Sequence, residues 1–439
     1  MRLIHTADWH LGNQMHGIDR MAEFESFLRF LRTQILDRRA DTLIVAGDIF
    51  DTANPGVGAR RLYYSFLASL AGSCCKNVII IGGNHDSAAM LDSARELLGV
   101  LNIRVVGSVS GLAPAGMCFE LKGEDGEAGG ICMAVPFVRE VELRGLLPDS
   151  GNAGGGRDAG RVADSDLYSV AYKALYSKVY DEAERLRGGR KIPVVATGHL
   201  YAADLEGRLA DKKPGGKSDD GMRTLDVLGT LGNVPPSVFP QVDYVALGHV
   251  HYTTTVAGNP AVRYSGSPFV MGFDEADARH FVLCADIGRA EDGKSELSVE
   301  KIETPRALRY RRLSGTLAGI RRQLEELSAS AGDDAGHEVP LYLELCYKRE
   351  IGVSTQEYLD GAIRALPESI SVVSWKVLDA EKALSLSQFA AFDAGEIKNL
   401  DDREVFTRLI LSKTGLDGDS DEGRRVLDKF LPLFLGIEV

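Results

Sequence analysis

The chain has 439 residues, 44% of them hydrophobic and 26% charged, which is enough apolar material for a sizeable core and too much chain for one ordinary domain. No stretch approaches the roughly 18 apolar residues of a membrane span. The N-terminus, Met1-Arg-Leu-Ile-His-Thr-Ala-Asp8, puts charged and imidazole groups where a signal peptide needs an apolar run, so a cytoplasmic protein is expected. The formal charge of −13 argues against a nucleic-acid partner held by Lys and Arg spread over the whole surface. It leaves room for one drawn by a local basic patch or by bound cations.

Short apolar runs recur along the first two thirds of the chain, each ending in a small or glycine-rich turn. Residues 3–7, 42–46, 78–81, 193–197 and 242–247 are of this kind, β-branched and of strand length, and predict buried strands. Between the early ones lie amphipathic helical patterns. Residues 21–39 place Phe24, Phe27, Leu28, Leu31 and Ile35 on one face, and residues 59–71 behave alike. Strand alternating with helix predicts an α/β layered domain whose strands continue to about residue 286. Residues 148–162 are glycine-rich and almost free of apolar side chains, and read as a flexible surface insertion. Residues 204–220 read as a second polar loop.

Residues 288–295 satisfy the spacing of a phosphate-binding P-loop, but a P-loop must open a helix so that its amides meet the phosphates. Residues 296–302 alternate polar and apolar, which is a strand pattern. A hairpin turn is therefore expected, and no nucleotide is expected to bind this chain. After residue 305 the texture changes: strand at 310–313, helix at 317–327, strand at 341–347, helix at 355–365 and strand at 370–378 predict a small α+β unit. Residues 401–412 and 421–435 read as short amphipathic helices with Asp near their starts. The six cysteines, Cys74, Cys75, Cys118, Cys132, Cys284 and Cys346, show no C-x-x-C spacing and read as reduced core thiols.

Five polar motifs fall just after strand ends: Asp8-Trp-His10, Gly47-Asp48-Ile-Phe-Asp51, Gly83-Asn84-His85-Asp86, Gly198-His199 and Gly248-His249-Val-His251. Each alone is an ordinary turn or a hydrogen-bonded histidine. Together they put carboxylates and imidazoles at successive strand tips, an expensive arrangement to bury unless the groups are paired or metal-bound. Two divalent cations about 3.5–4 Å apart repel one another, and a shared carboxylate reduces that repulsion. Carboxylate, imidazole and amide-oxygen ligands together suit Mn, Fe, Co or Zn better than Ca or Mg. Asp8 and Asp48 alone would leave such a pair with surplus positive charge, suited to a phosphodiester.

The order D-x-H, G-D-x-x-D, G-N-H-D, G-H, G-H-x-H resembles the calcineurin-like metallophosphoesterases. Longer strings resemble the bacterial SbcD family of DNA-repair exonucleases. These are Leu3-Ile-His-Thr-Ala-Asp-Trp-His-Leu-Gly12, Val45-Ala-Gly-Asp-Ile-Phe-Asp-Thr52, Gly198-His-Leu-Tyr-Ala202, Phe239-Pro, Asp243-Tyr-Val-Ala-Leu-Gly-His249 and Arg263-Tyr-Ser-Gly-Ser-Pro268. The likeness is dense from Met1 to Met271 and fainter beyond. It implies a metallophosphoesterase β-sandwich flanked by helices (1–290), a small α+β domain that caps the site and orients DNA (291–380) and C-terminal helices that dock on a partner (381–439). Candidate docking side chains are Val405, Phe406, Leu409, Ile410, Leu427, Phe430, Leu431 and Phe434.

The resemblance also implies a ligand set. One ion falls to Asp8, His10, Asp48 and His251, the other to Asp48, Asn84, His199 and His249, with Asp48 bridging. His85 faces the scissile phosphate, and Asp51 is expected to hydrogen-bond His85 and raise its pKa. Asp86 is expected to brace its turn. Mn2+ is the first expectation for the metal, with Mg2+, Co2+ or Fe2+ as alternatives. Arg20, Arg60 and Arg61, with Lys212, Lys213, Lys217 and Arg223, are expected at the mouth as phosphate contacts. The implied activity is double-strand exonuclease and single-strand or hairpin endonuclease on DNA ends. It is carried out as a homodimer with an SbcC-type, Rad50-like coiled-coil ABC ATPase, in a cytoplasmic complex that sits on the nucleoid when bound to DNA. A phosphatase or small-molecule phosphodiesterase would share every ligand. A non-catalytic scaffold would show degenerate ligands, and none is degenerate.

Overall fold

A computed structural model describes residues 1–123, 125–146, 164–202, 234–290, 292–330, 339–348 and 354–378. The glycine-rich insertion, the loop at 204–220 with Lys212, Lys213 and Lys217, Arg223, and the helices expected at 401–412 and 421–435 lie outside them.

The first sheet has the order β12-β11-β1-β2-β3-β4, from β1 (Arg2–Thr6), β2 (Thr42–Ala46), β3 (Asn77–Ile81), β4 (Ile103–Val106), β11 (Phe281–Arg289) and β12 (Ser295–Glu303). Its four early strands run parallel, and β11 returns antiparallel to β1. The second sheet has the order β5-β6-β7-β8-β10-β9, from β5 (Cys118–Lys122), β6 (Ala128–Met133), β7 (Val194–His199), β8 (Tyr244–Gly248), β9 (Thr254–Val256) and β10 (Asn259–Tyr264). Residues 288–295 are the β11–β12 hairpin, as the alternation beyond them predicts, and β12 carries the first sheet on to Glu303.

The period-two alternation of the strands builds the layers. Leu3, Ile44, Ala46, Ile79 and Ile81 face Met133, Val195, Val245 and Leu247 in one core between the sheets. Ile4, Leu43, Val45, Val78 and Ile80 face outward and are covered by Phe24, Phe27, Leu31, Tyr63 and Phe66 of α1 (Met21–Asp37) and α2 (Val57–Ser69). Short helices α3 (Ala88–Asp92) and α4 (Arg95–Val100) follow β3, and α5 (Glu140–Leu146) and α6 (Asp164–Arg187) follow β6. Tyr172, Tyr176, Val179 and Ala183 of α6 join the inter-sheet core cluster. This is the α/β metallophosphoesterase architecture. Both sheets end in the same region, so the loops after β1, β2, β3, β7 and β8 can share one site. All six cysteines are free, five of them buried.

Beyond β12 the expected alternation is present: β13 (Arg309–Gly315), α7 (Leu317–Ser330), β14 (Leu341–Tyr347), α8 (Thr355–Arg364) and β15 (Ile370–Val377). The strands form a three-stranded sheet in the order β13-β14-β15. By contacts the chain parts into two units, residues 1–313, 323–345 and 362–374 in one and 314–322, 346–361 and 375–439 in the other. Within the first, Leu308 and Tyr310 pack with Met15, Ile18, Val270 and Phe273. Within the second, Tyr347 and Trp375 meet edge to face and the Arg321 guanidinium lies over Tyr358. Among the described residues no helix is long and apolar enough to cross a membrane.

Candidate metal centre

β1, β2 and β8 hand their polar motifs to the site through a backbone that an ordinary residue avoids. Asp8, His10, Asp48 and His249 all have positive φ, between 42° and 98°. Such left-handed conformations cost about 1–3 kcal/mol each outside glycine and persist only where the surroundings over-determine them. Here the loops after β1 and β2 are laced together, with Asp8 N–H donating to Gly47 O, His10 N–H to Asp48 O and Leu11 N–H to Ile49 O, at 2.9–3.0 Å. Glycine precedes the ligands because the backbones nearly touch. A Cβ on Gly83 would overlap the Asp48 carboxylate, and one on Gly248 would overlap Ala46 O and crowd the His199 ring.

Asp86 braces its turn, as expected: its carboxylate accepts N–H bonds from Gly83 (2.9 Å), Phe50 (3.0 Å) and Ile49 (3.1 Å), tying the β2 and β3 loops together. The remaining carboxylates are aimed the same way. Asp8 accepts from the His249 N–H at 2.9 and 3.1 Å, and Asp48 Oδ1 from the His85 N–H at 2.9 Å. These bonds fix the carboxylates and leave other lone pairs facing the cleft.

The polar side chains converge in three groups: one joins His10, Asp51 and His85, and the other two match the expected ligand sets. The ligand atoms of Asp8, His10 and His251 lie within 4.8 Å of one another, and so do those of Asp48, His199 and His249. Asp48 Oδ2 stands between these two groups, 3.3 Å from His199 Nε2 and 3.7 Å from His10 Nε2. Asn84 Oδ1 lies 2.9 Å from His199 Nε2 and 3.0 Å from His249 Nδ1. Every metal ligand expected from the sequence is therefore brought to one place.

The donor set fits divalent ions. His199 Nδ1 faces Ala46 O at 2.9 Å, so that nitrogen carries a proton, and Nε2 is left facing two oxygens. A lone pair there would be repelled unless a proton or a cation lay between. His10 Nε2 and His249 Nε2 are buried without a hydrogen-bond partner, an expense that a metal bond removes, while His10 Nδ1 faces the Asp51 carboxylate at 3.5 Å. By contrast His5, outside the motifs, is a core histidine held by Tyr244 Oη and Leu247 O.

Protonation in the ion-free chain follows from the same crowding. Burial pushes the Asp8 carboxyl up to about 7, with Asp48 adding to it and the nearby imidazoles opposing. Burial works against ionised Asp48 too, but His199, His10 and His85 outweigh it and hold Asp48 well below the usual carboxylate range. Burial likewise opposes a charged His199, yet Asp48 and Asp8 raise it to about 9. His249 and His251, desolvated beside other imidazoles, fall to about 3.

Two expectations are corrected. His85 is exposed, and its Nδ1 meets the backbone carbonyl of Asp51 at 2.8 Å instead of the carboxylate. The Asp51 carboxylate accepts from Asn13 Nδ2 at 2.9 Å and faces His10 Nδ1 at 3.5 Å. Arg20 is not at the mouth. It is 1% exposed, bonded to Glu23 and Asn13 and enclosed by Phe24, Phe269 and Tyr310. Arg60 and Arg61 are exposed on α2, beyond the loop that carries Asp51. Asn13, in contact with Asp51, lies just past the D-x-H motif and carries no sequence signal of its own.

The family profile for calcineurin-like phosphoesterases matches residues 1–253. The SbcD component of the nuclease SbcCD of Escherichia coli (strain K12) is 34% identical over 375 residues, covering 85% of this chain and 83% of that protein. The chain belongs to the SbcD family of calcineurin-like phosphoesterases. The SbcD of Rhodobacter capsulatus is 32% identical over 84% of this chain and 85% of its own length. That of Bacillus subtilis (strain 168) is 30% identical over 66% and 68%. The phosphoesterase match runs from Met1 past His251, so the whole SbcD-family centre described above lies inside it.

Proposed function

We propose that this chain is the nuclease subunit of an SbcCD-type complex, a phosphodiesterase that uses two divalent ions to cleave DNA ends and hairpins. The observation that carries the reading is Asp48, a buried carboxylate with one oxygen facing a histidine of each cluster. Asp8, His10 and His251 would hold one ion, Asn84, His199 and His249 the other, and Asp48 both. The mixture of carboxylate, imidazole and amide-oxygen donors suits Mn, Fe, Co or Zn, and Mn2+ is the ion proposed because the family resemblance implies it. Bound there, the ions supply Lewis acidity and acidify water toward neutrality.

The chain's own residues do the rest. His85 is held through Nδ1, so Nε2 is its one ring nitrogen free to meet substrate. It can stabilise developing charge or give a proton to the leaving oxygen. Arg60 and Arg61 would contact backbone phosphates. Because β12 belongs to the catalytic sandwich, the capping unit expected over 291–380 would begin only after Glu303. Residues 304–380 would cap the site and orient DNA, and residues 381–439 would dock an SbcC-type coiled-coil ATPase. A homodimer is part of the proposal, and the apolar side chains of Leu97 and Val100, 72% and 81% exposed, offer it a face.

The test loads ion-free protein with Mn2+ and assays an end-labelled hairpin DNA beside p-nitrophenyl phosphate. Two bound ions and hairpin cleavage are expected. Hydrolysis of the small ester alone would turn the reading to a phosphatase.

A further inference from the structure

We propose that Arg20 is a positioning residue of the metal centre, acting through Asn13 and Asp51 on His10. The inference rests on the reading that His10 is an ion ligand. Arg20 has 0% of its side chain exposed. Removing a guanidinium from water costs several kcal/mol even when it is paired, and a buried ion pair is often no more stable than apolar residues of the same volume. Glu23 accepts from Nε at 2.7 Å, and the rings of Phe24, Phe269 and Tyr310 lie 5.4–5.9 Å from the guanidinium carbon. Packing alone would be served by Met or Leu.

What arginine adds is a hydrogen bond with a direction. Nη1 donates to Asn13 Oδ1 at 2.8 Å. With its oxygen engaged, the Asn13 amide must present its NH2 group elsewhere, and Nδ2 donates to Asp51 Oδ1 at 2.9 Å. That same oxygen stands 3.5 Å from His10 Nδ1. A carboxylate in this position favours the tautomer with the proton on Nδ1. The His10 Nε2 lone pair is then left on the side of Asp48, 3.7 Å away, where an ion would sit. At the other end Tyr310 Oη donates to Glu23 Oε2 at 3.3 Å. The chain of contacts thus runs from β13 to the centre without reaching solvent at Arg20.

The experiment uses the full chain with Asn13→Ala, at a half-buried position, and Arg20→Met, matched in volume. Two quantities are read: the affinity of each Mn2+ site by titration, and the ring-nitrogen chemical shifts of His10 in ion-free protein at a pH where the ring is neutral, which report its tautomer. Both variants should weaken the ion at Asp8, His10 and His251 by about 10–100-fold, the usual consequence of losing an outer partner of a ligand. The ion at Asn84, His199 and His249 should stay within about threefold, and the His10 signals should move toward a tautomer mixture. Unchanged signals with both affinities at the wild-type level would overturn the proposal. Equal weakening of both ions would also overturn it, because that is general loosening. If the wild-type chain takes up no ion at the first cluster, the parent reading fails, and the His10 signals alone decide this one.

Discussion

His85 differs from the other motif residues in being exposed and in having one ring nitrogen tied to a backbone carbonyl. His85→Gln should therefore leave the uptake of two ions unchanged and lower hairpin cleavage by about 10²–10⁴-fold, the usual size of a lost acid–base group. Loss of an ion in this variant, seen by metal analysis, would make His85 a ligand instead. The ion-free charges give a second prediction. At pH 7 His199, raised to about 9, keeps its proton, and Asp8, raised to about 7, is half protonated. Ligation needs Asp8 ionised and His199 neutral, bare at Nε2 with Nδ1 still donating to Ala46 O, so ion uptake must release protons, and apparent affinity must climb from pH 6 to pH 9. Calorimetry in two buffers of different ionisation enthalpy should show about one to two protons released at pH 7. An affinity independent of pH would contradict the assignment. The candidate cluster was legible in the sequence because carboxylates and imidazoles at successive strand tips have no packing purpose, and the family resemblance proposed which of its members are ligands. Arg20 was not. Its cage needs Phe269 and Tyr310, some 250–290 positions away, and an arginine near a motif reads by default as a surface charge.

At the level of elements, the early strands and α1 and α2 announce themselves by apolar period, and they appear within a residue or two of where the pattern puts them. The sheet pairings do not. That β10 lies parallel beside β8, or that β12 closes the edge of the first sheet through to Glu303, depends on which apolar faces meet, and a local pattern cannot say so. A motif such as G-N-H-D does not by itself reveal which of its members binds and which braces; those roles were expected from the resemblance. The structure separates them: Asn84 meets His199 and His249, whereas Asp86 gathers three backbone N–H groups from two loops. Asp86→Ala would leave those buried donors unsatisfied at about 1–3 kcal/mol apiece. We expect a loss of about 3 kcal/mol after relaxation, a fall of about 5–10 °C in thermal midpoint, and weaker binding of both ions, since the freed loops carry Asp48 and Asn84. A variant with the wild-type midpoint and ion affinity would show that the turn holds without its brace.

For the whole molecule, an acidic chain that acts on a polyanion must separate attraction from assembly. The charge of −13 gives no general hold on DNA, so on the proposed reading the pull would be local, from bound ions and from exposed arginines such as Arg60 and Arg61. Grip on a long duplex would then fall to the proposed partner, and the stretch the sequence offers for docking it is residues 401–439. Its apolar positions Val405, Phe406, Leu409 and Ile410 recur at helical spacing, as a helix laid in a groove requires. The last expected ligand, His251, lies 150 positions before it, and Tyr310, the last residue of the chain of contacts that reaches the centre, lies some 90 before it. Deleting residues 401–439 should therefore leave Mn2+-dependent cleavage of a short hairpin within about twofold and abolish co-purification with the coiled-coil ATPase. Stimulation by that ATPase on long duplex ends should vanish with it. Each half of the outcome can fail alone. A truncated chain that still binds the ATPase moves the docking surface elsewhere, and one that binds nothing and cleaves nothing ties the tail to the folding of the catalytic sandwich.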